Sequence, residues 1–274
     1  MSDQDGIPFL LVSGAGNDFI ALVERPAPPA ETIRAWCRRG VSVGADGLFT
    51  LRRIASGRYA LDYANADGAR AALCLNAARC AARLAFEQEP HAGELTIETG
   101  AGDLVAESVD DTRTAVRVPV PVAGRRMTLR ANGRDVPGWR IDAGVPHFVL
   151  RWPGDLDEAP VASLGPALRA HPDLGKDGAN VHFVDLDPPA HFRIRSYERG
   201  VEAETLACGT GVVAAAACGI AEGRLSLPVV AATRGGFELR LEAASDGPDG
   251  LGRWRLSGAA WIVARGRIAV AARA

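Results

Sequence analysis

The sequence predicts an α/β (α+β) chain of two structurally similar domains from an internal duplication, each a β-sheet wrapped around a central buried helix. Three observations carry that expectation. First, two apolar helical stretches each open at a cysteine: Cys74-Leu-Asn-Ala-Ala-Arg-Cys-Ala-Ala-Arg-Leu-Ala-Phe86, and Cys208-Gly-Thr-Gly followed by Val212 to Ala221. The second has no polar face at all and the first almost none, so both read as helices covered on every side. Secondly, the surroundings of the two repeat in order: Phe19 pairs with Phe148, Gly44-Ala-Asp-Gly47 with Gly175-Lys-Asp-Gly178, the stretch from Tyr59 to Gly68 with that from His191 to Gly200, and Cys74 with Cys208. The offsets grow slowly, 129, 131, 132 and 134 residues, as two diverged copies of one unit would give. Thirdly, short apolar runs broken by glycine and Asx turns surround each helix, and a curved, twisted sheet is the cover such a helix needs.

In chain order, Phe9–Val12 and Phe19–Val23 read as strands around the turn Ser13-Gly-Ala-Gly-Asn-Asp18. Glu31 to Gly40 is a short helix ended by glycine, Gly44 to Leu51 returns to strand, and Tyr59–Tyr63 alternates like a strand before Ala64-Asn-Ala-Asp-Gly68. Val116-Arg-Val-Pro-Val-Pro-Val122 reads as an extended linker or edge segment between the copies. The expected domains are 1–118 with Cys74, 119–264 with Cys208, and a strand-like tail, 265–274, free to return to the first half.

Composition narrows the function. With 274 residues, 47% hydrophobic content and a net charge of −2, the chain has the core for two domains and no basic stripe for nucleic acid. No stretch reads as a leader or a membrane span, so a cytoplasmic protein without a membrane partner is expected. Five cysteines without regular spacing predict free thiols rather than a disulfide framework.

A cysteine at a helix N-terminus has unpaired N–H groups and the positive end of the macrodipole beside it, which favour a thiolate and also bind a carboxylate. The plain alternative is a small buried cysteine. Two such cysteines in equivalent places suggest more, because an approximate two-fold would set them on opposite faces of one carbon acid. One thiol then removes the α-proton and the other reprotonates from the far side, while the helix termini hold the α-carboxylate. Without a nucleotide fingerprint or zinc spacing, no cofactor and no metal are expected. A regulatory disulfide between Cys74 and Cys208, in a redox sensor or binding protein, stays open as a reading of another class.

The motifs Gly14-Ala-Gly-Asn17-Asp-Phe, Gly44-Ala-Asp-Gly, Asn65-Ala-Asp-Gly, Gly144-Val-Pro-His147, Gly178-Ala-Asn180-Val and, above all, Glu198-Arg-Gly-Val-Glu-Ala-Glu-Thr-Leu-Ala-Cys208-Gly-Thr-Gly resemble those of the diaminopimelate epimerase family over the whole chain. The resemblance implies two domains, each a mixed β-sheet around a central helix, and cofactor-independent interconversion of LL- and meso-diaminopimelate on the way to lysine and peptidoglycan. It implies Cys74 and Cys208 as acid/base thiols, with the backbone at Leu75-Asn76 and Gly209-Thr210 holding the reacting α-carboxylate. Asn17, Asn65, Asn180 and Arg199 would read the rest of the substrate, and Glu198 and His147 would support binding and proton balance. An arginine fork and amide donors suit a distal carboxylate. The implied partner is a small amino acid substrate; a homodimer stays open. His171, His182 and His191 match no motif and are expected to be structural or at the surface, and Cys37, Cys80 and Cys218 are expected to be structural. Two departures stand out: Cys74-Leu-Asn-Ala77 replaces the family's Cys-Gly-Asn-Gly, and Val145 stands where asparagine is common. A relative acting on histidine, proline or hydroxyproline remains an alternative.

Overall fold

The computed structural model describes residues 6–122, 124–186, 189–245 and 252–269. It divides into two compact units, one made of the chain up to Val116 and from Gly258 onward, the other of Arg117–Ser257.

The first unit runs β1 (Ile7–Gly14), β2 (Asn17–Val23), α1 (Ala30–Cys37), β3 (Gly47–Ala55), β4 (Arg58–Asn65), β5 (Arg70–Ala71), α2 (Leu75–Gln88), β6 (Glu94–Thr99), β7 (Gly102–Ser108) and the start of β8 (Arg113–Pro119). Tight turns make β1–β2, β3–β4 and β6–β7 antiparallel pairs, whereas β2–β3 and β4–β6 are parallel. Parallel neighbours need a crossover long enough to return the chain, and α1 and α2 are those crossovers. The helix α2 packs against β1, β2, β4, β6 and β7. Its Ala77, Ala78, Ala81, Ala82 and Ala85 are fully buried, and such small side chains let strands close around it. On the other face of the sheet, Ile33 and Trp36 of α1 pack on Ile20, Leu22, Leu48 and Ile268. The helix stops at Cys37, short of the Gly40 read from the sequence.

The second unit repeats this order. It contains β9 (Arg125–Ala131), β10 (Arg134–Asp142), β11 (Pro146–Arg151), α3 (Val161–Arg169), β12 (Asn180–Asp185), β13 (His191–Glu198), β14 (Ala203–Thr205), α4 (Gly209–Ala221), β15 (Val229–Thr233), β16 (Glu238–Ala244) and most of β17 (Arg253–Ala259). Again β10–β11 is antiparallel, β11–β12 parallel, β12–β13 antiparallel, β13–β15 parallel and β15–β16 antiparallel. Val212 and Val213 of α4 are 0% and 2% exposed, each burial contributing roughly 1.5–3 kcal/mol. Across the sheet, α3 buries Val161, Leu164 and Leu168 against Phe148, Val181, Phe183 and Tyr197.

The last described strand, β18 (Trp261–Ile268), pairs antiparallel with β1 from Ile7↔Ile268 to Ser13↔Trp261. It takes beside β1 the place that β9 takes beside β10. The chain rejoins the first unit at Gly258, ahead of residue 265, because all of β18 pairs with β1. Val270 and Ala271, the end of the strand-like tail, lie outside the described residues. No described helix is long and apolar enough to cross a membrane.

Candidate active site

Cys74 and Cys208 occupy the same structural position. Each is the residue that starts its central helix, with φ/ψ of −140°/108° at Cys74 and −121°/107° at Cys208. Each carbonyl accepts the first helical hydrogen bond, from Ala78 N–H at 2.8 Å and from Val212 N–H at 3.0 Å. The next N–H groups, at Leu75-Asn76 and Gly209-Thr210, fall in the first turn, where an α-helix has no internal acceptor to offer. Both helix starts therefore present donors suited to a carboxylate.

In the first unit, Cys74 is half-buried. Leu75 and Ala77 lie inside the helix, and neither is among the non-glycine residues with positive φ. Replacing the family's glycines thus imposes no backbone strain here. Asn76 Nδ2 donates to Asn17 Oδ1 at 2.5 Å, and Asn17 Nδ2 donates to Asp46 Oδ2 at 2.9 Å. Asp46 is held in turn by Arg39. Asn65 ends β4 half-buried, and its side-chain amide has no partner among the described residues.

In the second unit, Cys208 is 4% exposed. Its Sγ lies 3.5 Å from Thr210 Oγ1 and accepts the Gly211 N–H. Burial pushes the thiol well above its usual range and the Glu198 carboxylate adds to the shift, outweighing the donors at Thr210 and Gly211. The thiolate expected from the helix terminus is corrected at this position: desolvation and a facing carboxylate outweigh the terminus, and Cys208 rests as the thiol. Glu198, at the end of β13, is anchored by the Thr205 hydroxyl.

A buried polar chain runs across three strands beside α4. Ser196 on β13 stands directly opposite His182 on β12, and His147 on β11 sits diagonally from His182 on the same face. His182 Nδ1 is 2.9 Å from Ser196 Oγ, and His182 Nε2 is 2.8 Å from His147 Nδ1. Both imidazoles are wholly buried, which drives His182 down to about 3 and His147 well below the usual histidine value, the latter helped by His182 and Arg199. Both are neutral. His147 Nε2 has no hydrogen-bond partner among the described residues. A Cβ on Gly211 would lie 2.2 Å from His182 Cε1, so only glycine lets the Cys208 helix seat against this ring. His182, expected to be structural or at the surface, is structural: buried, it joins His147 to the first turn of α4. The signal for it was cross-strand register, which a lone histidine in an apolar run does not reveal.

Asn180, beside His147 in the parallel β11–β12 pair, accepts the Arg199 N–H on Oδ1 at 2.8 Å. The Arg199 guanidinium is half-buried and meets no acceptor among the described residues. His147, Asn180, Glu198, Arg199, Cys208, Gly209 and Thr210 thus belong to the second unit, and Asn17, Asn65, Cys74, Leu75 and Asn76 to the first. A cavity of about 460 Å³ opens beside the other half of α4, at Cys218 and Glu222, and none of these residues lines it. No group of three or more His, Cys, Asp or Glu side chains suited to a metal ion occurs among the described residues.

The sequence profile of the family described as Diaminopimelate epimerase matches residues 9–122 and 140–250. The chain belongs to the diaminopimelate epimerase family. A diaminopimelate epimerase of Hydrogenobaculum sp. (strain Y04AAS1) is 37% identical over 222 residues, 76% of this chain and 79% of the relative. That of Aquifex aeolicus is 34% identical over 275 residues, 95% of this chain and 97% of its own. The chain is accordingly an isomerase, an epimerase of this family. Among solved structures, a probable proline racemase from Agrobacterium radiobacter K84 shares the fold, with a TM-score of 0.73 at 17% identity over 96% of this chain and 93% of that one.

Proposed function

We propose that the protein interconverts LL- and meso-diaminopimelate by a two-base proton transfer, in lysine and peptidoglycan precursor biosynthesis, with Cys74 and Cys208 as the two bases. The observation that carries this reading is that both cysteines start equivalent helices with nearly the same backbone angles. The α-carboxylate binds the first-turn N–H groups at Leu75-Asn76 and Gly209-Thr210, which also stabilise the charge that develops as the proton leaves. One sulfur, as thiolate, takes the α-proton; the electron pair of the broken C–H bond delocalises into the carboxylate. The other sulfur, as thiol, delivers its proton to the opposite face, so configuration inverts and the protonation states of the two sulfurs exchange. The unpartnered guanidinium of Arg199 and the amide of Asn65 suit the distal amino acid end of the substrate. Asn180, which holds the Arg199 N–H, and Asn17, which is bonded to Asn76, would help to read that end.

The test is α-proton exchange in heavy water, followed by NMR, with LL- and meso-diaminopimelate and with histidine and proline for comparison. Cys74→Ala and Cys208→Ala should each abolish inversion. Each should retain slow exchange without inversion on the isomer that faces its surviving thiol, and the two variants should prefer opposite isomers. A general acid or base contributes about 10²- to 10⁴-fold. Residual inversion within tenfold of the parent in either variant would remove that cysteine from the mechanism, and turnover of proline in preference to diaminopimelate would remove the substrate.

A further inference from the structure

Arg79 lies one turn into α2 and is completely buried. Its guanidinium folds back toward the start of the helix, where Nη2 donates to Asn76 Oδ1 at 2.9 Å and Nη1 reaches the Leu75 carbonyl at 3.5 Å. Its Nε has no acceptor, and it meets no carboxylate among the described residues. Three features of this location disfavour a cation. Water is excluded, the positive end of the macrodipole is adjacent, and no acidic side chain compensates. Even so, a guanidinium lowered by burial to about 10 remains charged at neutral pH. An ion held in this way needs an anion nearby, and the groups in electrostatic reach that can become one are Cys80 and Cys74. Cys80 is 1% exposed and burial holds it firmly as the thiol. Cys74 is half-buried, at the helix start.

We propose that Arg79 is the counter-ion of the Cys74 thiolate, a positioning residue that makes Cys74 the base of the resting protein while Cys208, facing Glu198, is the acid. This rests on the two-base reading for its chemistry but not for its test. The charged and polar groups around Cys74 fit. From its own helix come Arg79 and the neutral Cys80. From β2 comes Asn17, which meets the helix start through Asn76 and whose amide ends on Asp46, a carboxylate already paired with Arg39. The Arg79 fork also fixes the polarity of this chain: with Asn76 Oδ1 accepting from the cation, Asn76 Nδ2 must face Asn17 Oδ1, and Asn17 Nδ2 must face the carboxylate.

The experiment is the pH dependence of alkylation of Cys74 and of Cys208 in the substrate-free protein, each followed by peptide mass. In the parent, the Cys74 midpoint should fall below the ordinary thiol value of about 8.5 and below that of Cys208. In Arg79→Met, which keeps the volume without the charge, the Cys74 midpoint should rise by about 1 to 3 units, and that of Cys208 should stay. Arg79→Lys, which keeps a cation, should hold the Cys74 midpoint below the ordinary value. An unmoved Cys74 midpoint in folded Arg79→Met overturns the assignment, and would be the result if Arg79 served only a substrate carboxylate. If Arg79→Met does not fold, the parent decides: a Cys74 midpoint at or above the ordinary value, or above that of Cys208, overturns it. A parent that passes this titration yet exchanges no α-proton of diaminopimelate would sink the epimerase reading and leave Arg79 in place.

Discussion

Gly211→Ala offers a sharp test of the way the Cys208 helix is seated. The new Cβ would lie 2.2 Å from His182 Cε1, 2.7 Å from Nδ1 and 2.8 Å from Nε2. Ring and helix would have to separate by more than about 1 Å to reach ordinary contact distance. The ring has nowhere easy to go, being wholly buried and tied to Ser196 and His147. Overpacking of this kind costs about 1–3 kcal/mol, and loosening the His147–His182 bond inside the core adds about 1–3 kcal/mol. Alanine returns at most about 1 kcal/mol through helix propensity, so the clash wins and the net loss is about 1–6 kcal/mol. Activity should fall more steeply, because the Gly211 N–H is a donor to the Cys208 sulfur. A displacement near 1 Å at a reacting group is worth about 10²-fold.

The decisive measurement is the double-mutant cycle with His182→Ala, read by urea unfolding and by the rate of α-proton exchange. With the ring removed, the space opposite residue 211 is open and only the propensity gain remains. Gly211→Ala should then be neutral or stabilising in the His182→Ala background although it is destabilising in the parent. Independent sites add to within about 0.5 kcal/mol. Simple additivity, with Gly211→Ala costing the same in both backgrounds, would refute the account of the close approach.

Acid should weaken the fold through the two buried histidines. Both are held neutral below the unfolded value of about 6.5, so their contribution is complete above that pH and is lost as pH falls toward the folded values, at about 1.4 kcal/mol per pH unit for each; a urea midpoint unchanged between pH 7 and pH 5 would count against it. Cys218→Ala should lower stability and leave α-proton exchange within a few-fold, because this thiol is 2% exposed, pushed up to about 12 by burial, and far along α4 from the helix start; a folded variant as inactive as Cys208→Ala would contradict it. Restoring the family pattern with Ala77→Gly should cost about 1 kcal/mol in unfolding measurements and gain no activity, since helical backbone at residue 77 needs no glycine.

The duplication was legible because it left matching residues at the turns and helix starts, where backbone geometry restricts what can stand. The two cysteine helices were legible for the same reason. α3 was not, because Val161–Arg169 carries Gly165 and Pro166, two residues that locally argue against a helix. Packing overrides them: Gly165 lies so close to Tyr197 that a Cβ would approach its ring to 2.7 Å. The His147–His182–Ser196 chain was hidden in a different way. Each member sits on a different strand, and only the registers of β11–β12 and β12–β13 bring them together. The protonation state of Cys208 is not legible in the same way, because a helix terminus is visible in sequence whereas complete desolvation and a facing Glu198 are not.

The duplicated scaffold also explains why the two cysteines should differ. Epimerisation by two sulfurs needs a base and an acid ready together, and a strictly symmetric pair, both thiols or both thiolates, offers only one of them. The backbone has kept its symmetry, with φ/ψ at Cys74 and Cys208 differing by less than the ordinary scatter of about 20°. The charges have not. At the offset of 134 residues that aligns the cysteines, the counterpart of Arg79 is the apolar Val213. At the offset of 132 that aligns the preceding strands, the counterpart of Glu198 is Ala66. Each half has therefore acquired one charge that the other lacks, a cation beside Cys74 and an anion beside Cys208, and these have opposite effects on a thiol. Removing both charges, by Arg79→Met together with Glu198→Gln, should bring the alkylation midpoints of the two cysteines toward one another, from below for Cys74 and from above for Cys208; midpoints that stay as far apart as in the parent would show that burial alone, and not these two charges, separates acid from base.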